Sequence, residues 1–440
     1  MEKYQRTNFI SMAAEGGLYQ IAAKFWDTST VVPLFLAAYA GSMTVVGLAS
    51  TLSMCASVVM AFLFGMYAWR IKDLTRFQFY VLLLRGLPFL LAPIVIWTPS
   101  PSVAVIAFLV IYTIFNGSTG IIGVSWWDIM GRTIPQENRG RLIGLQQIGA
   151  GIGGLVTGVA IKAILGSQRI GDPLRFGILF AGVGLFGLLS ALVMARVKDP
   201  HRKPGEPTGS PLRYMGQFRK LLSANAEYRR ALLLQAAHYV LFYTIPYLIV
   251  FEKEHFALND GQVSTLVFLQ IIGTLLGGLL WGELSKRRGN TGVIRVTLTV
   301  SLLLMLTVIG CSFINNPLAA PMGILSGISL AAGACQMAFL YNRNYLIDIT
   351  DEENRAVYFV MNSTLLFPFS FISVICGAVA DAFGFRPVFI LGALATLVCL
   401  VVSKGLLSTD QLPAWQEELK KRYALVGQRL HGQKGSLGMN

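Results

Sequence analysis

A chain of 440 residues with 54% hydrophobic and 13% charged residues and a mean hydropathy of +0.60 lies far below the ~25% charge of a soluble domain. Its net charge of +14 sits in short loops between apolar runs, a distribution that argues against nucleic-acid binding and for a membrane protein with one basic side. The alternating ten-residue patterns of an outer-membrane barrel are absent, so the expected class is all-α, integral to the membrane and multi-spanning.

The first apolar segment, 9–39, carries Glu15, Gln20, Lys24 and Asp27. At ~100° per residue Gln20, Lys24 and Asp27 share one narrow arc of a helix, while Glu15 points roughly 140° away from Gln20. Further spans are expected at 44–68, 77–97, 102–125, 142–165 and 176–195. Arg85 lies inside the third, at a depth where an unpaired Arg costs at least ~2.5 kcal/mol. A structural ion pair with Glu15 is therefore expected. The fourth segment offers Tyr112, Asn116 and Thr119 at i, i+4, i+7. The fifth carries the pairs Gly149/Gly153 and Gly154/Gly158, and Lys162 near its far end, placed to snorkel.

Residues 196–230 form the one long loop. It is rich in Pro and Gly from Pro200 to Pro211, and Leu212, Met215, Phe218 and Leu222 then recur at helical spacing beside basic residues, as in a surface amphipathic helix. Six more spans follow at 231–251, 261–284, 291–314, 318–342, 357–382 and 386–405. The seventh presents Gln235, Tyr239 and Phe242 on one stripe, flanked by His238 and Tyr243; the tenth offers Gln336. The eighth repeats the glycine pattern as Gly273/Gly277 and Gly278/Gly282, so segments five and eight are expected to meet. The tail, 406–440, lines up Trp415, Leu419, Tyr423, Val426 and Leu430, a face expected to pack on the protein or on headgroups.

Glu137-Asn138-Arg139 recurs as Glu353-Asn354-Arg355, 216 positions on, and at that offset the Arg70/Lys72 loop falls on Lys286/Arg288 and Gln146 on Asn362. The chain reads as two copies of one design: 1–195 and 231–405 as six-helix bundles, 196–230 as linker and 406–440 as tail, twelve spans in all. Loops on the side of the termini carry Arg70, Lys72, Arg76, Arg132, Arg139, Arg141, Lys286, Arg287, Arg288, Arg343 and Arg355; the opposite loops carry only Arg169, Arg175, Lys253 and Arg386. Both termini are therefore expected in the cytoplasm. Cys55, Cys311, Cys335, Cys376 and Cys399 show no CxxC spacing and read as small buried residues. No cleavable signal peptide is expected, and no phosphate loop, metal-ligand cluster or nucleophile elbow is visible, so neither an enzyme nor a cofactor is expected.

Six plus six spans, a long central loop and basic 2–3 and 8–9 loops resemble the major facilitator superfamily over residues 9–405. The family's loop motif G-x-L-[AS]-D-R-x-G is matched by Gly282, Leu284, Ser285, Arg287 and Gly289, and in the first half by Gly65, Ala68 and Arg70. Lys286 and Trp69 replace the motif's Asp, which in the family latches the cytoplasmic side. Pro135 with Arg139-Gly140 is similar to the family's P-x-x-x-R-G, and the glycines from Gly149 to Gly154 to the G-P-x-x-G-G of its drug/proton antiporters, without the Pro. The resemblance implies a monomeric secondary transporter of the cell membrane, rocking two halves around a midplane site for a small organic solute. Spans one, four, seven and ten would surround that site. Gln20, Lys24, Asp27, Tyr112, Asn116, Thr119, Gln235, His238, Tyr239, Tyr243 and Gln336 are its candidate residues. Lys24 and Asp27, at i, i+3, are a self-neutralising pair, a substrate-binding pair, or a site where Asp27 exchanges a coupling proton. Sodium is the alternative ion, and uptake and efflux are both open. An uncoupled facilitator, or a receptor or scaffold on the same fold, is the alternative function.

Overall fold

Inside a bilayer no water satisfies backbone amides, so long apolar runs fold as helices. The computed structural model describes residues 2–98, 100–199, 218, 221–314, 321–336, 339–350, 355–419 and 421. The first half contains α1 (Glu2–Phe25), α2 (Val31–Ala40), α3 (Met43–Tyr67), α4 (Leu74–Ile96), α5 (Pro101–Thr133), α6 (Gln136–Leu165) and α7 (Asp172–Met194). The second contains α8 (Ala226–Phe242), α9 (Pro246–His255), α10 (Asp260–Cys311), α11 (Met322–Gln336), α12 (Phe339–Asp348), α13 (Arg355–Leu366), α14 (Ile372–Phe383) and α15 (Phe385–Lys404). Among the described residues, ten stretches are long and apolar enough to cross a membrane. One of them, α10, is two spans joined at Gly289, where φ is 66°. With α1 and α2 as a two-piece first span, the total is the expected twelve.

Spans one and seven are broken, and both breaks are written in the sequence. Asp27–Thr30 is polar and short-chained, and such side chains compete for backbone groups. The Asp27 carboxylate accepts the Ser29 N–H (2.9 Å) and the hydroxyls of Ser29 and Thr30, while the Asp27 carbonyl accepts the Val32 N–H at 3.1 Å. In span seven Pro246 opens α9, so the helix before it stops at Phe242, and the Thr244 hydroxyl covers the Leu241 carbonyl at 2.7 Å. These breaks stand 216 positions apart. So do Gly41 (φ 61°) and Ala257 (φ 48°), which turn the chain out of α2 and α9. The side chain of Gln146 donates to the Met12 carbonyl of span one at 2.7 Å, and that of Asn362 to Gln235 of span seven at 3.0 Å. Thus two equivalent positions each bond to the first span of their own half, one to a backbone carbonyl and the other to a side chain.

Spans five and eight do meet, but not glycine to glycine. Gly154 and Gly158 lie against the Leu275, Phe268 and Ile271 side chains of α10, whereas Gly149 and Gly153 receive Gly17 and Ile21 of α1. On α10, Gly273 and Gly277 face Leu330 and Ala334 of span ten, and Gly278 and Gly282 face open space. The sequence pattern marks close approach correctly without identifying the partner, because several neighbours surround each helix. A second seam joins α3 to α14, with Gly47 against the Ser373 carbonyl and Gly377 against that of Met43.

In the tail, Trp415 and Leu419 are buried and the Trp415 indole donates to the Ile349 carbonyl at 3.4 Å, so this stretch packs on the protein. Phe218 and Leu222 pack on the same cluster. Leu212, Met215, Tyr423, Val426 and Leu430 lie outside the described residues.

A methyl group on Gly333 would run into the backbone of Gln270, while one on Gly278 would meet nothing. Gly333→Ala should therefore cost about 1–3 kcal/mol through overpacking, read as a lower melting temperature in detergent. Gly278→Ala should leave melting unchanged or raise it slightly. Equal effects would reject this packing.

Candidate functional site

Between the halves lies a cavity of about 250 Å³. The break of span one contributes Thr28 and Ser29, α3 contributes Ser50, Ser53, Met54 and Ser57, and α5 contributes Asn116. Across from them stand Phe242, Tyr243, Ile245 and Pro246 of the break in span seven, and Gln336 of α11. Among the described residues the lining holds hydroxyls, amides and aromatic faces and no ionisable acid or base apart from the Tyr243 phenol. Ser50, Ser53 and Ser57 share one face of α3, as i, i+3, i+7 spacing requires. The Ser53 hydroxyl donates to the Asn116 amide oxygen at 2.7 Å, and the Asn116 amide nitrogen to the Tyr112 carbonyl at 2.8 Å, so the amide is fixed in orientation. Behind it the ring of Trp26 stands edge-on to Tyr112 and Phe115.

The halves are joined at the level of this cavity and on its side away from the termini. Gln270 of α10 donates to the Ser29 hydroxyl at 3.0 Å, and Thr51 of α3 to the Ser370 carbonyl at 2.8 Å. Further out, the Asp381 carboxylate of α14 caps the start of α3 from the other half. It accepts the N–H groups of Met43 (2.6 Å) and Thr44 (2.9 Å) and the hydroxyls of Ser42 (2.8 Å) and Thr44 (2.6 Å). A carboxylate at a helix N-terminus is favoured by hydrogen bonding and by the helix dipole together. Arg175 bridges Asp172 at 3.0 Å and, across the halves, Asp260 at 2.5 Å. The face opposite the termini is closed by these groups.

Of the candidate residues, Asn116, Tyr243 and Gln336 line the cavity. Lys24 and Asp27 form no ion pair. Because α1 ends at Phe25, Asp27 has left the helix, the i, i+3 geometry does not apply, and its carboxylate is taken up in capping the break. Lys24 extends beside Gly154 of α6, and Gln20 is half-buried on α1 outside the lining. Thr119 bonds back to the Phe115 carbonyl at 3.1 Å. Gln235 is held by Asn362, and the His238 ring by the Asn342 amide at 2.9 Å, both inside the second half. Tyr239 stacks on Tyr243 at 5.8 Å and backs the cavity wall.

Glu15 and Arg85 are likewise not in contact. The Glu15 carboxylate accepts the Trp126 indole N–H at 2.9 Å and the Ser190 hydroxyl at 3.2 Å. The Arg85 guanidinium lies over the rings of Tyr19 (4.7 Å) and Phe115 (5.2 Å), which offer a cation the negative faces of two π systems. Both charges are buried and the attraction between them acts across a longer gap.

The loop motif is closed within its own half. Ser285 donates to Asn290 at 3.2 Å, Arg287 and Lys286 bridge Glu283 at 3.1 and 3.3 Å, and Gly289 lies against Thr409. The serine stripe of α3 is what the sequence reading missed. Its spacing is visible in the sequence, but span two lies outside the expected ring of spans one, four, seven and ten.

Residues 231–431 match the family model of the Major Facilitator Superfamily. Among solved structures, the chain is similar to a variant of the nucleoside transporter NupG, with a TM-score of 0.67 and 13% identity over 90% of this chain and 99% of that one. It is similar to a bacterial homologue of the human lysosomal transporter Spinster, inward-facing and unoccupied, with a TM-score of 0.59 and 16% identity over 97% of each chain. A D-xylose–proton symporter follows, with a TM-score of 0.59 and 14% identity over 91% and 97%. An uncharacterised protein of Mycobacterium tuberculosis is 25% identical over 178 residues, 40% of this chain. The match spans about a third of that relative's length, 34%. The fold expected from the sequence is borne out, and the second half matches the family that the sequence resembles.

Asp381 carries four of the bonds that close the outer seam. In a cysteine-free background carrying Ser53→Cys, Asp381→Asn should raise several-fold the rate at which an impermeant maleimide, added from the opposite face, labels the cavity. An unchanged rate would reject Asp381 as a seal.

Proposed function

From a chain with the fold of the major facilitator transporters, whose second half matches that family's model, we propose a secondary transporter that moves an uncharged, hydroxyl-bearing organic solute by alternating access. The observation that carries this reading is the lining of the cavity. Ser50, Ser53, Ser57, Thr28, Asn116 and Gln336 offer paired donors and acceptors, and Phe242 and Tyr243 offer flat apolar faces. A charged solute would enter without a counter-ion, which is costly away from bulk water. Nucleosides and xylose, the solutes named for two of the similar structures, have this chemistry.

The excess of Lys and Arg on the side of the termini supports a cytoplasmic location for both. With the opposite face closed, the conformation is then the one that exchanges solute with the cytoplasm. The proposed energy source is a proton gradient, and Asp27, the carboxyl next to the cavity-lining Thr28 and Ser29, is the proposed coupling group. The engagement of its carboxylate with Ser29 and Thr30 inside the break favours one second reading, an uncoupled facilitator in which Asp27 is structural.

Two experiments test this. In a thermal-shift screen of the detergent-purified protein, uridine, D-xylose and polyols should include stabilising ligands, whereas carboxylates and amines of similar size should not. Ser53→Ala should weaken the best of them by about 3- to 10-fold, the ~0.5–1.5 kcal/mol of one hydrogen bond. Stabilisation by charged solutes alone would overturn the substrate class. In liposomes with an imposed pH gradient, Asp27→Asn should lose gradient-driven accumulation and keep counterflow exchange. Unchanged accumulation would remove Asp27 from coupling, and absence of gradient-driven accumulation in the unaltered protein would favour the facilitator.

A further inference from the structure

Glu252 is used by nothing described so far. It lies on α9, the outer piece of span seven, about two turns beyond the break that lines the cavity, and it is 0% exposed. One carboxyl oxygen accepts the Ser329 hydroxyl of α11 at 3.3 Å; the other has no hydrogen-bond partner among the described residues. The remaining titratable neighbour is the Cys311 thiol at the end of α10. The charged groups nearby are engaged elsewhere or turned away. Lys253 faces the Asp172, Arg175 and Asp260 cluster, Glu254 is exposed, and the His255 ring meets the Ile314 carbonyl at 3.0 Å. Arg386 bonds to Ser312 and covers the Phe313 ring. On α2, Tyr39 packs on Phe35 and Phe176, and α3 brings no charged residue to this side.

A carboxylate in such surroundings, with one long hydrogen bond and no cation facing it among the described residues, is strongly disfavoured against the neutral acid. α9 also rests against α2 and α3 of the other half. Opening the opposite face must part these helices and bring water toward the side of α9.

We propose that Glu252 is a proton-binding site of the cycle, protonated while the opposite face is closed and deprotonated when it opens. On opening, the O–H bond of the acid breaks, the proton passes to water on that face, and the carboxylate remains solvated; closure reverses the step. The site would tie the change of conformation to a proton without any contact between proton and solute. That consequence rests on the transport reading, whereas the change of protonation can be read by itself.

The test is infrared spectroscopy of the full-length protein in liposomes at neutral pH. The unaltered protein should show a protonated-carboxyl C=O stretch that is missing from Glu252→Gln and moves to higher frequency in Ser329→Ala, where the hydrogen bond to the acid is lost. Combining Asp381→Asn with Arg175→Gln, to release the outer seam, should shrink the same band in favour of carboxylate. A band that survives Glu252→Gln, or one indifferent to both other changes, overturns the proposal. Should Glu252→Gln fail to fold, the Ser329→Ala shift decides alone. Failure of the transport reading would show separately, as absence of any protein-dependent solute flux, counterflow included, with the band intact.

Discussion

Interrupting a helix inside a membrane strands amides and carbonyls where no water can reach them, and this protein does so at corresponding places in spans one and seven. The side chains that rescue the stranded groups therefore decide where the cavity lies. Asp27 gathers the Ser29 and Thr30 groups at one break, and Thr244 covers a carbonyl at the other. The residues freed from helical geometry, Thr28 and Ser29 on one side and Tyr243 and Ile245 on the other, are those that face the cavity. Polar backbone is admitted to the middle of the molecule only where side chains of the same segment have already satisfied it.

Carboxylates and cations are likewise kept out of the described cavity lining. Glu15 and Arg85 are buried inside the first half, each solvated by protein, through an indole and a hydroxyl in one case and two aromatic faces in the other. Asp381, Arg175 and Asp260 work at the rim between the halves. The centre is left to neutral dipoles, whose hydrogen bonds can be exchanged for those of a solute without a large change in desolvation. Two copies of one fold have thus diverged in detail. Where the first turns out of α2 on Gly41, the second uses Ala257 at a left-handed φ, a conformation that an alanine adopts only when its surroundings hold it there.

Much of the architecture was legible because the membrane makes hydrophobic length and loop charge nearly sufficient to define it. The repeat offset found from a tripeptide and a few basic residues recurs in the breaks, in the turns and in the Gln146 and Asn362 bonds. Single-residue roles were less legible. Helical spacing placed Lys24 beside Asp27, but spacing holds only while the helix lasts, and the polar run after Phe25 ends it. Opposite charges suggested a Glu15–Arg85 contact, but buried rings and hydroxyls compete well for such groups. Neither the serine face of α3 nor the burial of Glu252 follows from pattern alone. The first needed the position of span two, and the second needed the distance to every neighbour.

One carbonyl in the second half joins distant parts of the chain. The oxygen of Ile349, just beyond α12, accepts the amide of Asn225 at the start of span seven (3.1 Å) and the indole of Trp415 after span twelve (3.4 Å). Gln416 reaches the adjoining Asp348 carbonyl at 3.0 Å. The two extremes of this half are therefore knotted to its middle. On the ribosome, where chains emerge from the N-terminus, the first half can assemble while the second is still being made. The second half cannot complete this junction until residues 415 and 416 have left the exit tunnel, so its last contacts form after synthesis of its final span has ended.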